Sequence, residues 1–185
     1  IAYFFWLAGT LTLLFLRPKD DRWLLLSAFN FLTAIWLGMG GGASGYHLFY
    51  SALLLRSAIW ISVPVYLHLH WIFPRPLEKL PLILVWIVYL IAMGLAVVQW
   101  FQWIPSSFYL LGFLIAIVGS IILLIIHAIK QPDMRRELRL LLITMFFILV
   151  PLIILGIVQS FPGTISRLGS LALLPFPLLP FAYLY

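Results

Sequence analysis

The segment 110–129, LLGFLIAIVGSIILLIIHAI, decides the fold class of this chain. Its centre, Ile121-Ile122-Leu123-Leu124-Ile125-Ile126, is apolar on every side. A strand of a membrane barrel alternates apolar and polar residues over about ten positions, which this run does not do. About 20 helical residues cover the roughly 30 Å hydrocarbon core of a bilayer. The segment therefore predicts a transmembrane helix.

The composition of the whole chain agrees with a membrane protein. Of 185 residues, 65% are hydrophobic, with 11 Lys and Arg and 5 Asp and Glu, whereas soluble domains are about 45 to 50% apolar and about 25% charged. The absence of cysteine excludes disulfides, thiolate nucleophiles and iron–sulfur clusters within the chain. No cofactor and no catalytic residue is expected.

Seven apolar runs are long enough to count as candidate spans, and each is bounded by proline, glycine or charge. They cover residues 1–16, 23–39, 48–73, 80–100, 106–129, 138–161 and 168–185. The sequence therefore predicts an all-α fold, a polytopic membrane helix bundle of seven transmembrane helices forming a single domain over residues 1–185.

The basic residues orient this predicted bundle, because Lys and Arg accumulate in short cytoplasmic loops. The first, third and fifth loops carry Arg17, Lys19, Arg22, Arg75, Lys79, Lys130, Arg135, Arg136 and Arg139. Among the other loops, only the sixth has a basic residue, Arg167. This asymmetry predicts an outside N-terminus and a cytoplasmic C-terminus in the plasma (inner) membrane. The net charge of +6 then faces anionic lipid rather than nucleic acid.

Arg56 is the leading candidate for a ligand contact, because an ionisable group inside a membrane span is costly and usually functional. It lies about 12 Å below the outer boundary of span three, and no span contains an acidic partner. Trp60, one helical turn away, is predicted to stack on it. Tyr50 and Asn30 complete the candidate site. The alternatives are that Arg56 extends to the outer headgroups and that Asn30 bonds a neighbouring helix.

Two further groups of residues are predicted to shape the helices. Prolines within spans free a carbonyl and bend a helix, so kinks are expected at Pro64, Pro151, Pro175, Pro177 and Pro180. Small residues allow close helix approach, so packing is expected at Gly112, Ala116, Gly119 and Ser120.

Three histidines lie near the predicted cytoplasmic ends of spans three and five. His68 and His70 are two residues apart on a helix, so they point in different directions and cannot share one metal ion. We expect their imidazoles, and that of His127 at the matching depth, to reach water or headgroups while their rings pack. A trio that senses cytoplasmic pH is the alternative.

Three segments together resemble the multi-pass N-terminal membrane region of bacterial sensor histidine kinases. They are Arg17-Pro18-Lys19-Asp20-Asp21-Arg22, His68-Leu69-His70-Trp71-Ile72-Phe73-Pro74-Arg75-Pro76 and Pro177-Leu178-Leu179-Pro180-Phe181-Ala182-Tyr183. The resemblance covers the whole chain and implies that the last span leads into a cytoplasmic dimerisation and kinase region. No ATP-binding motif or phosphoacceptor segment lies in these residues, so this stretch itself is not expected to be an enzyme.

The resulting prediction is a sensory module that passes an external or membrane-borne cue to a cytoplasmic output domain through movement of span seven. The expected ligand is a peptide, a lipid or a small anion, with the lipid bilayer as partner and a homodimer implied by the resemblance. One alternative is a non-catalytic subunit of a larger membrane complex, in which Arg56 meets an acid on another chain. A channel or transporter is a weaker alternative, because no acidic residue lies in a span.

Overall fold

The computed structural model of the chain describes residues 1–17, 19–40, 50–159 and 174–184. Seven α-helices occupy these ranges: α1 Ala2–Phe15, α2 Asp21–Gly38, α3 Ser51–Ile72, α4 Leu82–Trp100, α5 Tyr109–Lys130, α6 Arg135–Gln159 and α7 Leu178–Leu184. Short 3-10 turns at Ser106–Phe108 and Pro132–Met134 precede α5 and α6. The prediction of an all-α fold is confirmed for the described residues.

Six of the predicted spans correspond to α1 to α6. Of the seventh, 168–173 lie outside the described residues, and the remainder forms a turn over 174–177 followed by the seven-residue α7. Pro175 and Pro177 lie in that turn, and Pro180 lies inside α7. The last segment is therefore shorter and less regular than a single straight span.

Among the described residues, three helices are long and apolar enough to cross a membrane: Ser51–Ile72, Leu82–Trp100 and the continuous stretch Ser106–Lys130. Ala2–Phe15, with 14 residues, is about 21 Å long, which is less than the hydrocarbon thickness. In α6, the apolar part is Leu138–Pro151, because charged residues occupy the first turns. Helix length and composition thus identify three candidate crossings, fewer than the seven predicted from the apolar runs.

Helix α3 is the central element of the bundle, packing against α2, α4 and α5. Helix α1 packs on α2, while α6 packs on α5 and α7. Leu69 on α3, Phe29 on α2 and Leu124 on α5 are almost completely buried in the common core. In contrast, α4 exposes most of its apolar side chains; its buried residues are Ala92, Ala96 and Gln99.

The connections that carry most of the charge lie together at one end of the bundle. Arg22 Nη1 donates a 2.9 Å hydrogen bond to the Pro74 carbonyl, joining the first connection to the third. Lys130 and Glu78 form an ion pair of 2.8 Å, joining the fifth connection to the third. We call this region, which contains Arg22, Pro74, Glu78, Lys130 and Gln131, the charged end.

Local signals explain two helix boundaries. The Asp20 carboxylate accepts a 3.0 Å hydrogen bond from Trp23 N and caps the start of α2. Helix α4 ends with Gln102 in the left-handed region at φ 59°, while Trp103 N donates to the Val98 carbonyl and Gln102 N donates to the Gln99 carbonyl. These bonds form a Schellman motif, which usually has glycine at the left-handed position.

Candidate functional site

A buried group of histidine and tyrosine side chains connects three helices near the charged end. It consists of Tyr66 and His70 on α3, His127 on α5 and Tyr183 on α7, and we call it the histidine–tyrosine cluster. All four side chains are buried, and both histidines have a relative exposure of 0%. The cluster is where the short C-terminal helix contacts the central helix.

His70 is the centre of this cluster because three of its polar atoms are used. Its Nδ1 lies 2.7 Å from the Tyr66 carbonyl, one helical turn earlier. A carbonyl can only accept, so Nδ1 carries the proton. In the neutral ring Nε2 is then an acceptor, and the Tyr183 hydroxyl, 2.5 Å away, donates to it.

His127 extends the cluster from α5 to the end of α3. Its Nε2 lies 2.8 Å from the His70 carbonyl, so Nε2–H is the donor in this contact. The last four carbonyls of a helix have no partner within the helix, and His127 satisfies one of them. Its Nδ1 lies 3.3 Å from Gln131 Oε1, and the amide of Gln131 donates to the Arg75 and Pro76 carbonyls.

Tyr66 continues the hydrogen bonding toward the bundle interior. Its hydroxyl lies 2.5 Å from Thr33 Oγ1 and accepts a 3.0 Å hydrogen bond from Trp36 Nε1. Thr33 Oγ1 is also 2.7 Å from the Phe29 carbonyl, to which it donates, so the Tyr66 hydroxyl donates to Thr33. This assignment gives every hydroxyl proton in the chain of contacts an acceptor.

Phe29 provides the aromatic surface against which the cluster packs. Its ring centroid lies 4.5 Å from that of Tyr66 and 5.2 Å from that of Tyr183. Phe73 contacts the other side of Tyr183, at 5.4 Å between centroids. Tilted and edge-on arrangements of this kind add to the stabilisation from burial. The rings therefore fix the orientation in which the hydroxyl of Tyr183 reaches His70.

The cluster joins α3, α5 and α7 through the hydrogen bonds of His70, His127 and Tyr183. No carboxylate takes part in the contacts described above. Among the described residues, no group of three His, Asp or Glu side chains is arranged to hold a metal ion. What the arrangement provides is a directional link from α7, through His70, to α3 and α5.

The expectation that the histidines reach water or headgroups is wrong for His70 and His127, which are fully buried. His68 is partly buried and faces α4, where its Nδ1 lies 3.4 Å from the Tyr89 hydroxyl. The sequence held one usable signal for the cluster. Tyr66 and His70 are four residues apart, so they share a helix face, and His127 and Tyr183 end their segments at the same side of the predicted bundle.

The residues predicted as ligand contacts are not brought together as one group. Asn30 is buried at the α1–α2 interface, next to Gly9, and its amide donates to the Leu26 carbonyl. Trp60 is buried against α5, with its ring next to Gly112 and 5.8 Å from Phe108. Tyr50, just before α3, is 74% exposed. The proposed site thus reduces to Arg56 and Trp60.

Arg56 is partly buried, and within the described part of the chain it has no hydrogen bond or ion pair. The predicted stacking on Trp60 is not formed, because the indole faces α5; the cation–π contact among the described residues is Lys19 over Trp23, at 5.2 Å. Trp60 Nε1 is buried and has no hydrogen-bond partner among the described residues. In that part of the chain, neither the Arg56 guanidinium nor the Trp60 indole N–H has an acceptor.

The other predicted structural residues occupy identifiable places. Helices α3 and α6 continue through Pro64 and Pro151 without a break. Of the small residues on α5, Gly112 faces Trp60 and Gly119 faces Leu67. Ala116 and Ser120 are buried, and the Ser120 hydroxyl donates to the Ala116 carbonyl. The small side of α5 is thus the side on which α3 packs.

At the charged end, Lys130 dominates the electrostatics of Glu78. The hydrogen bond and the charge of Lys130 together lower the pKa of the Glu78 carboxyl below its usual value. Trp71 Nε1 donates a 2.9 Å hydrogen bond to the Glu78 carbonyl, so the same residue is held from two sides. The third connection is therefore fixed to α3 by Trp71 and to α5 by Lys130.

Comparison of the chain with protein-family models, with curated proteins and with solved structures found no match.

Proposed function

We propose that this chain is a seven-helix membrane sensory module, with the N-terminus outside and the C-terminus in the cytoplasm, that transmits a cue through its last helix. The observation that supports the proposal is the hydrogen bond of 2.5 Å between Tyr183 on α7 and the buried His70 on α3. This hydrogen bond between the last helix and the central helix is a place where a change in the bundle alters the position of α7. A ligand produces such a change only by binding two arrangements with different affinity.

The charged end supports the proposed topology. The start of α2 and the end of α5 both contact the connection between α3 and α4, through Arg22 and Lys130, as expected if α1 to α6 alternate in direction. Basic connections face the cytoplasm in membrane proteins. The proposal places α7 at that same face, since Tyr183 contacts His70 in the last turn of α3.

Single cysteines test the topology directly, because the chain contains no cysteine. We would replace Asp20, Glu78 or Asp133 at the charged connections and Gln102 or Ser106 between α4 and α5. A membrane-impermeant thiol reagent applied to intact cells should label only positions 102 and 106. Labelling of position 20, 78 or 133 from outside would refute the proposed orientation.

Movement of α7 is tested by introducing Leu178→Cys and Ile129→Cys, attaching a spin label to each cysteine and measuring the distance between the labels in reconstituted protein. Tyr183→Phe removes the hydroxyl that bonds His70 and should broaden or shift the distance distribution. Tyr3→Phe, at a residue 88% exposed, is the matched control and should leave it unchanged. An identical distribution in Tyr183→Phe would show that the hydrogen bond does not control α7.

A second candidate function is a non-catalytic subunit of a larger membrane complex. Arg56, partly buried and without a bond to another described residue, favours it, because a cation in a span is stabilised by an acid on a neighbouring chain. Arg56→Gln discriminates the two proposals. Loss of a co-purifying membrane protein would support the subunit, whereas an altered output response with unchanged composition would support a sensor whose ligand contacts Arg56.

A further inference from the structure

A groove of about 360 Å³ opens between α3, α4 and α5, the three helices that are long and apolar enough to cross a membrane. Leu67 and Gly119 form part of its lining. A Cβ added to Gly119 would lie 2.5 Å from Leu67 Cδ2, so any side chain here would push Leu67 out of place. The depth of the groove therefore depends on glycine at position 119.

The groove runs from the charged end toward the middle of the bundle. Trp71 and Leu80 line it near the charged end, while Pro64 and Tyr89 line its deep part. Pro64 and Trp71 are seven positions apart, which corresponds to about 10 Å along α3. One leaflet contributes about half of the 30 Å hydrocarbon core, so the groove holds about two thirds of the length of an acyl chain in one leaflet.

The lining of the groove is apolar apart from two side chains that bond each other. His68 Nδ1 and the Tyr89 hydroxyl lie 3.4 Å apart. Because these two polar groups bond each other, they do not require a polar ligand in the deep part of the groove. Ile122 on α5 is 51% exposed at the open side of the groove. Such a surface accepts hydrocarbon, and its open side faces away from the protein core.

A lysine directly precedes the groove in the sequence. Lys79 is exposed, comes immediately before the lining residue Leu80 and forms no ion pair with another described residue. The neighbouring acid, Glu78, is paired with Lys130 at 2.8 Å, and its carbonyl accepts a hydrogen bond from the lining residue Trp71. A lysine without an ion pair among the described residues, one position from the groove lining and next to an acid that is already paired, is complementary to a phosphate at headgroup depth.

We propose that the groove between α3, α4 and α5 binds one anionic phospholipid, with an acyl chain between Pro64 and Trp71 and its phosphate next to Lys79. The proposal does not depend on a signalling role, because it uses only the three apolar helices and the connection between α3 and α4. Its charge complementarity selects anionic over zwitterionic headgroups, and its depth accepts one chain in an ordered position.

Native mass spectrometry of the protein released from nanodiscs containing equal phosphatidylglycerol and phosphatidylcholine tests this. The unmodified chain should retain one phosphatidylglycerol. Lys79→Gln should lower that occupancy about fivefold, whereas Lys19→Gln, which removes the same charge at a lysine placed over Trp23, should not. Equal retention of both lipids by the unmodified chain, or equal loss in both lysine variants, would overturn the proposal.

Filling the groove gives an independent test. Ile122→Trp places an indole in the groove and should remove the retained lipid. Ile125→Trp changes an isoleucine on the same helix that is 45% exposed and does not line the groove, so it should retain the lipid. Helical content and elution volume show that both variants are folded. Lipid retained by folded Ile122→Trp would refute the site. A dimer of the delipidated protein that Ile122→Trp dissociates would also refute it, because a second copy of the chain would then occupy the groove.

Discussion

His70 shows how one residue can connect three helices without any charge. Nδ1 donates to the Tyr66 carbonyl, Nε2 accepts from Tyr183 on α7, and the carbonyl accepts from His127 on α5. Each bond fixes the direction of the next, because the proton on Nδ1 makes Nε2 an acceptor. A residue that replaced His70 would need a buried donor and a buried acceptor in the same positions.

Removal of the Tyr183 hydroxyl should therefore destabilise the protein. Tyr183→Phe leaves the buried Nε2 of His70 without its donor, and an unsatisfied buried polar atom costs about 1 to 3 kcal/mol. We expect a lower midpoint of unfolding in detergent, measured by helical circular dichroism. Tyr3→Phe should leave the midpoint unchanged, and an equal midpoint in both variants would show that water replaces the lost hydroxyl.

Two glycines on neighbouring helices provide a matched test of close packing. A Cβ at Gly112 would lie 3.1 to 3.2 Å from three atoms of the buried Trp60 ring, whereas a Cβ at Gly94 meets nothing within 4 Å. Gly112→Ala should cost about 1 to 3 kcal/mol through overpacking against a rigid indole. Gly94→Ala should be neutral or stabilising by up to about 1 kcal/mol. Thermal unfolding of both variants measures the difference, and equal midpoints would contradict the predicted close contact.

At the scale of elements, the end of α4 carries a strain that a substitution can relieve. Gln102 adopts φ 59°, which costs a residue with a Cβ about 1 to 2 kcal/mol relative to glycine. Gln102→Gly should raise the unfolding midpoint, provided that the Schellman bonds of Trp103 and Gln102 are kept. Gln102→Ala retains the Cβ and should show no such gain; a gain in alanine as well would assign the effect to the lost amide.

The helices themselves were largely predictable from the sequence, whereas their contacts were not. The predicted span 48–73 contains α3, Ser51–Ile72, and the predicted span 106–129 nearly coincides with the continuous Ser106–Lys130 stretch. Runs of apolar residues bounded by proline and charge determine such limits. Helices that are apolar on all sides, such as α4, do not reveal which face meets protein, so the pairing of α4 with α3 and the open groove had no signal in the sequence.

The candidate site was harder to predict for the same reason. Small residues on α5 predicted a packing face, because their size is visible in the sequence. The direction of the Trp60 ring depends instead on the space left by Gly112, and that of the His70 ring depends on the Tyr66 carbonyl and the Tyr183 hydroxyl that it bonds. The sequence indicated Arg56 because it is a cation within a predicted span. The buried hydrogen bonds are instead made by His70 and His127, which were expected to reach water or headgroups.

For the molecule as a whole, the ion pair at the charged end predicts a dependence of stability on pH. Lys130 lowers the pKa of Glu78, so the pair stabilises the fold above the usual carboxyl pKa and ceases to do so as pH falls through the lowered pKa. Glu78→Gln should slightly lower the unfolding midpoint at neutral pH, and the difference should shrink as pH falls below the usual carboxyl pKa and vanish below the lowered pKa. Both side chains are largely exposed, so added salt should reduce the effect. A difference that persists at low pH would exclude the ion pair as its cause.

Four of the contacts that join elements near the charged end use main-chain oxygens as acceptors. Arg22 bonds the carbonyl of Pro74, Trp71 that of Glu78, and His127 that of His70, while Trp23 Nε1 bonds that of Thr12. Every residue type supplies such an oxygen. A saturation library should therefore tolerate other side chains of similar size at the buried positions 12 and 74, yet few at positions 22 and 23, where the donor itself would be lost.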